Sequence, residues 1–389
     1  MFKKRTYLDI AAGWSGNPSS PHAEGRKSRE QLEGARSAIA RLVEAKPDDV
    51  LFTSGATEAN ALAILGHIRA LRARAGADTP GRNHFHAFYL PSAHASIVEN
   101  MSLLSDEGVS VEPLPLAGAR VDIGALRGML RKETVLVAME AVCGETGVVW
   151  NTREVAQALR EFSAGAVRAA PVLHVDASQA PLTEKMTRAH FGADSLALDG
   201  AKVGAMHGIG ALIVPRSVPL EPLYRGGGQE RRLRPGTETP ELAEAFAEGL
   251  RRAAQGRERF RVRAERDRAR LVATITKMIP DVLINEGSDK AGQAPNILNL
   301  SLPGRDTDYL VALLDETGFA VSTRSACETD SEEGSRAVYA LTGDPERARS
   351  TLRVSWGPAV RWRNLARFSR SLARSVAFSS EERFAAGKN

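Results

Sequence analysis

VLHVDASQA, residues Val172 to Ala180, and SLALDGAKVGAMHGIGALIV, residues Ser195 to Val214, decide how this chain folds. The first is a short apolar run closing on polar residues, the pattern of a buried parallel strand whose C-terminal end opens into a crevice. Asp176 and Gln179 then sit at that mouth. The second holds an apolar run, a glycine-punctuated turn carrying Lys202, and a further run, GIGALIV. A lysine so placed reaches the same crevice. An Asp at a strand end more often caps a turn than takes part in chemistry, so the pair gains meaning from its company.

That company is chemical. Pyridoxal chemistry needs an amine to hold the aldehyde as a Schiff base, and a carboxylate to keep the pyridine nitrogen protonated so that the ring accepts electrons. Lys202 and Asp176 supply both groups, and Cys327 adds a thiol from a separate loop. The stretch after it, ETDSEEGS, is polar and lacks apolar periodicity, as an exposed loop would. In FTSGATEAN (Phe52 to Asn60) a strand runs into a helix that starts at about Ala56 and Thr57. Its first N–H groups have no intrahelical partner, so they cap the helix or receive a phosphate, with the Thr57 hydroxyl beside them.

With YLDIAA (Tyr7 to Ala12), GNPSSPH (Gly16 to His22), AHASIVEN around His94, ETGVV (Glu145 to Val149) and GGGQERRLRPGTE (Gly226 to Glu238), these motifs follow a family order. PNILNLSLPG (Pro295 to Gly304), STRSACE (Ser322 to Glu328) and LRVSWG (Leu352 to Gly357) complete it. The chain resembles the group I cysteine desulfurases of the class V aminotransferase-like, fold-type-I pyridoxal enzymes. The resemblance implies an α/β fold with a mostly parallel seven-stranded sheet in a large domain, residues 13–248. A smaller α+β domain takes residues 1–12 and 249–389 and carries the Cys327 loop.

It further implies pyridoxal 5'-phosphate as a covalent Schiff base on Lys202, with Ala56, Thr57, His94, Asp176 and Gln179 around it. His94 matches the histidine that stacks on the ring, and Gln179 the residue that bonds its phenolic oxygen. Thr237 resembles a threonine that reaches the phosphate in the partner subunit, so a homodimer is implied. Arg353 resembles the arginine that holds the substrate carboxylate, a task suited to a planar guanidinium. The implied reaction converts L-cysteine to L-alanine, leaving a persulfide on Cys327 for a sulfur-acceptor protein in iron-sulfur or tRNA thiolation pathways. Lys202, Cys327 and His94 would be its catalytic residues, and no metal is expected.

Departures from the family pattern accompany the matches. Cys143 and Gly144 stand where two asparagines are common, so a side-chain donor is lost at Gly144. Asp199, Gly200 and Ala201 stand where a serine, a small residue and a histidine usually precede the lysine, and a carboxylate near a phosphate is repulsive unless paired. Only Gly13, Trp14 and Ser15 separate the first two motifs, a shorter link than relatives carry. A degenerate scaffold that binds partners without turnover, a selenocysteine lyase and another class V lyase or aminotransferase are therefore the alternatives. Only a desulfurase or its selenium counterpart needs Cys327.

Composition agrees. The 389 residues are 43% apolar with 34 glycines, an ordinary α/β balance large enough for more than one core. The sequence holds no run of the roughly 18 apolar residues that span a membrane, and MFKKRTYLDI lacks a signal peptide's apolar stretch, so a cytoplasmic location is expected. With only two cysteines, Cys143 and Cys327, no disulfide framework is expected, and Cys143 reads as a packed residue. The formal charge of +5 is concentrated in stretches of helical character, as on solvated helix faces. At 5% aromatic residues and with no stacking motif, the sequence gives little support for direct nucleic-acid binding.

Overall fold

The computed structural model describes residues 5–14, 16–75, 84–164, 170–288, 290, 292–323 and 334–386. The larger sheet has seven strands: β1 (Val50–Thr53), β2 (His86–Tyr89), β3 (Ser110–Pro113), β4 (Thr134–Glu140), β5 (Val172–Asp176), β6 (Ser195–Asp199) and β7 (Gly210–Ile213). Their order is β1-β7-β6-β5-β4-β2-β3. β7 runs antiparallel to both its neighbours, and every other pairing is parallel. β4 (TVLVAME) is buried along its whole length, as a central strand covered on both faces must be.

The helices alternate with these strands. α1 (Ala23–Leu42) precedes β1, and α2 (Ala56–Ala75), α3 (Ala95–Asp106), α4 (Ile123–Met129), α5 (Thr152–Ala164) and α6 (Arg188–Phe191) form the successive crossovers. A parallel sheet wound in this way opens its crevice at the C-terminal ends of the strands. Those ends are Thr53, Glu140, Asp176 and Asp199.

α7 (Pro240–Met278) has 39 residues and, at about 1.5 Å per residue, extends about 58 Å. Pro240 sits in its first turn, where the missing N–H costs nothing. Phe246 and Leu250 join the core of the large sheet; Phe260, Ala264, Leu271 and Ile275 join a second core. The second core lies on a smaller antiparallel sheet of β8 (Leu283–Asn285), β9 (Ile297–Ser301) and β10 (Thr351–Ser355), in the order β10-β9-β8. α8 (Thr307–Glu316), α9 (Arg336–Thr342), α10 (Pro345–Arg349) and α11 (Trp362–Ala386) complete the chain.

One expected strand is nearly absent. FAVSTRS reads as a strand, yet among its described residues only Ser322 pairs, as an isolated bridge to Arg353. Phe319 and Val321 pack half-buried against the small core, so side-chain packing rather than a ladder holds the run.

Candidate active site

The strand ends enclose a cavity of about 290 Å³. Lys202, Asp176, Gln179 and His94 line it, as do Ala56 and Thr57 at the start of α2 and Arg353 from β10. Lys202 lies in a short 3₁₀ turn, Ala201–Val203, directly after β6, ended by Gly204 in the left-handed region at φ 71°. The glycine-punctuated turn read from the sequence is thus what turns Lys202 toward the cavity. Thr237 does not line this cavity; it is exposed in the loop before α7. Cys327 lies outside the described residues.

A fully buried asparagine orders the floor. Asn60 donates through Nδ2 to Asp176 Oδ2 at 2.7 Å and to Ser96 Oγ at 2.8 Å, while His174 Nε2 bonds its Oδ1 at 2.9 Å. His174 Nδ1 is 2.9 Å from Ser195 Oγ, and burial pulls the imidazole pKa down to about 4, so His174 is neutral and donates through Nε2. Asp176 Oδ1 also accepts the Ser178 N–H at 2.9 Å. The network continues from Ser96 Oγ to His94 Nδ1 at 2.9 Å, and the same Nδ1 accepts the Ser96 N–H at 3.1 Å, capping α3. With Nδ1 so occupied, the proton of neutral His94 sits on Nε2.

Sequence reasoning did not single out Asn60, Ser96, His174 or Glu140. An Asn on the buried face of an otherwise apolar helix, and a Glu ending an apolar strand, were the signals available. Glu140 is the register partner of Asp176. Burial, and then the adjacent Asp176 charge, push its pKa well above the ordinary carboxyl range. Cys143, also buried, has its thiol raised by burial and by Glu140 and Glu145, the opposite of an activated nucleophile.

Arg353 donates to the Gly144 carbonyl at 3.3 Å and shares backbone hydrogen bonds with Ser322. Ser335 Oγ donates to the buried Glu145 at 2.6 Å. Ser322 and Ser335 lie on either side of residues 324–333, so both flanks of the segment that carries Cys327 are fastened to the cavity wall. The loop leading to Thr237 is fastened too. The Glu230 carboxylate accepts from Arg36 at 2.6 and 2.8 Å and from the Phe52 N–H at 2.8 Å. Glu230, Arg231 and Arg232 all have positive φ, at 45°, 60° and 64°. Such backbone costs on the order of 1–3 kcal/mol per residue and persists here because the buried ion pair fixes it.

A strand-end cavity with a lysine, an aspartate and a helix start is the arrangement of a fold-type-I pyridoxal enzyme. The aminotransferase class-V family model matches residues 6–368, and the chain belongs to that family. Within it the chain falls among the cysteine desulfurases. It is 33% identical to an IscS-like cysteine desulfurase of Mycobacterium tuberculosis, over 88% of this chain and 84% of the relative. It is 32% identical to cysteine desulfurase IscS 1 of Archaeoglobus fulgidus, over 88% and 85%. Among solved structures, DndA from Streptomyces lividans superposes with a TM-score of 0.72 at 32% identity, covering 90% of this chain and 94% of that one. The class is pyridoxal-dependent, and the cavity suits a polar ring: Ser92, Ser178 and Glu140 are among its lining residues, and Ser92 Oγ, Ser178 Oγ and Glu140 Oε1 are buried without a hydrogen-bond partner among the described residues. Among the described residues, no helix is long and apolar enough to cross a membrane.

Proposed function

We propose that this chain is a pyridoxal-dependent cysteine desulfurase that works through Lys202, Asp176, His94, Arg353 and Cys327. The observation that carries the reading is that four of these five, far apart in sequence, line one strand-end cavity, while Ser322 and Ser335, which flank the residues that include the fifth, are bonded to its wall.

When bound, pyridoxal phosphate supplies an electron-accepting ring that stabilises negative charge at the substrate α-carbon. Asp176, aimed by Asn60 and the Ser178 N–H, would face the ring nitrogen and keep it protonated. Gln179 would bond the phenolic oxygen, His94 would lie on the ring, and Ala56 and Thr57 would be nearest the phosphate. Lys202 provides the amine that holds the aldehyde and, once released by the substrate, takes the proton from its α-carbon. Arg353 binds the carboxylate of L-cysteine, and its bond to the Gly144 carbonyl fixes the guanidinium. The Cys327 thiolate attacks the substrate sulfur. The new S–S bond leaves a persulfide on Cys327, while the electrons of the broken C–S bond pass to the carbon fragment, which takes up protons and leaves as alanine.

The homodimer, with Thr237 of one subunit serving the other's cofactor, belongs to the same reading. It is supported by the exposure of Thr237 and of apolar Trp14 and Met206, 84% and 63% exposed. So does the division into residues 13–248 and residues 1–12 with 249–389, supported by a second apolar core whose buried residues all fall between Phe260 and Val376, although Leu250, Ala253, Ala294, Ile297 and Ala337 pack in the core of the large sheet. A groove of about 910 Å³ that also reaches Lys202 is lined by Arg252, Arg259, Arg263 and Arg361 and, among the described residues, by no carboxylate, which suits a sulfur acceptor with an acidic surface. The test is a visible absorbance band formed with pyridoxal phosphate by the wild type and not by Lys202→Ala. Turnover should collapse in Cys327→Ser; transamination surviving there without desulfuration in the wild type would sink the proposal.

A further inference from the structure

The reading above puts the cofactor's phosphate at the start of α2, and the present inference rests on it. That place already holds an anion of the chain's own. Asp199 ends β6, and its Oδ2 accepts the Ala56 N–H at 3.1 Å while its Oδ1 accepts the Ala201 N–H at 2.8 Å. The sheet builds this contact in. Gly210 of β7 is the register partner of both Asp199 and Thr53, and a Cβ there would lie 2.7 Å from the Gly55 carbonyl carbon. Only glycine lets the turn into α2 come so close to Asp199.

A cation beside this turn is already engaged. Glu58, in the first turn of α2, accepts the Ser54 N–H at 2.5 Å and pairs with Arg234 at 3.1 Å, which occupies that cation. A phosphate carries acceptor oxygens and negative charge, so it competes with Asp199 for the same N–H and is repelled by its carboxylate.

We propose that Asp199 is a built-in anion for the phosphate cradle, so that this site holds its cofactor chiefly by the ring and the link to Lys202 and gains little from the phosphate. The chain therefore discriminates weakly between pyridoxal phosphate and pyridoxal. Replacing the carboxylate by a neutral group restores the helix start to the phosphate.

The experiment titrates wild type, Asp199→Asn, Asp199→Ser and Lys202→Ala with pyridoxal phosphate and with pyridoxal, following visible absorbance and tryptophan fluorescence. Asn keeps an acceptor for the Ala201 N–H, and circular dichroism verifies the fold of each variant. The wild-type affinities for the two compounds should agree within about tenfold, and the neutral variants should tighten pyridoxal phosphate by about tenfold to a hundredfold while leaving pyridoxal unchanged. Unchanged or weaker binding of pyridoxal phosphate in both neutral variants overturns the proposal, as does an equal gain for pyridoxal. Lys202-dependent pyridoxal binding in the wild type upholds the enzyme reading whichever way Asp199 falls. Binding of neither compound by any of the proteins overturns both.

Discussion

Replacing Asn60 by alanine should cost stability and disturb the cofactor site together. The substitution removes hydrogen bonds of 2.7, 2.8 and 2.9 Å to Asp176, Ser96 and His174. Asn60 and His174 are fully buried, and Asp176 is nearly so. Each buried group left without a partner costs about 1–3 kcal/mol, with the charged Asp176 at the upper end. A water entering the space freed by the side chain would restore part of this, so the net loss should be about 3–5 kcal/mol. In a chain of 389 residues that is a fall of about 4–6 °C in the thermal midpoint. Calorimetry on the cofactor-free protein measures it. The visible band of the loaded variant should also titrate at a shifted pH, because Asp176 has lost the donor that aims it. A midpoint within 1 °C of wild type would refute the claim that Asn60 orders the floor.

Two further effects follow from buried charge. Glu230→Gln removes the counter-charge of Arg36, whose protonated form Glu230 stabilises against burial, and should cost about 3–5 kcal/mol in urea unfolding; a loss below about 1 kcal/mol would contradict the role given to this pair in fixing the loop. His174, its pKa lowered by burial from 6.5 to about 4, binds fewer protons in the folded than in the unfolded state. Its contribution is complete above pH 6.5 and is lost as pH falls toward 4, by about 3 kcal/mol in all. Glu140, raised by burial, acts in the opposite sense, its contribution fading as pH rises. Urea midpoints between pH 7 and 4.5 for wild type and His174→Gln separate the two: the variant should have the flatter acid limb, and parallel limbs would count against a neutral buried His174.

The sequence made the central strands legible because VLHVD and SLALD are mostly apolar runs of the length a strand needs, each ending in a carboxylate. Lys202, Asp176, Gln179, His94 and Arg353 were legible because their motifs are ordered and because strand ends converge in a parallel sheet. Asn60 and Ser96 were hidden, since an Asn within a helix reads as ordinary until β5 is seen packed beside it. Asp199 was noticed as a misfit, but that its carboxylate reaches Ala56 depends on Gly210 bringing two strands and a turn together, which no local pattern encodes. FAVSTRS misled because Phe319 and Val321, packed on a core on either side of an exposed Ala320, look like a strand when read alone.

The most direct measurement is of the products of L-cysteine turnover by the protein loaded with pyridoxal phosphate, set beside Lys202→Ala and Cys327→Ser. Alanine should form in the wild type alone, and mass spectrometry should find one added sulfur on the peptide carrying Cys327. No alanine from the folded, loaded wild type, or alanine undiminished in Cys327→Ser, would contradict the account.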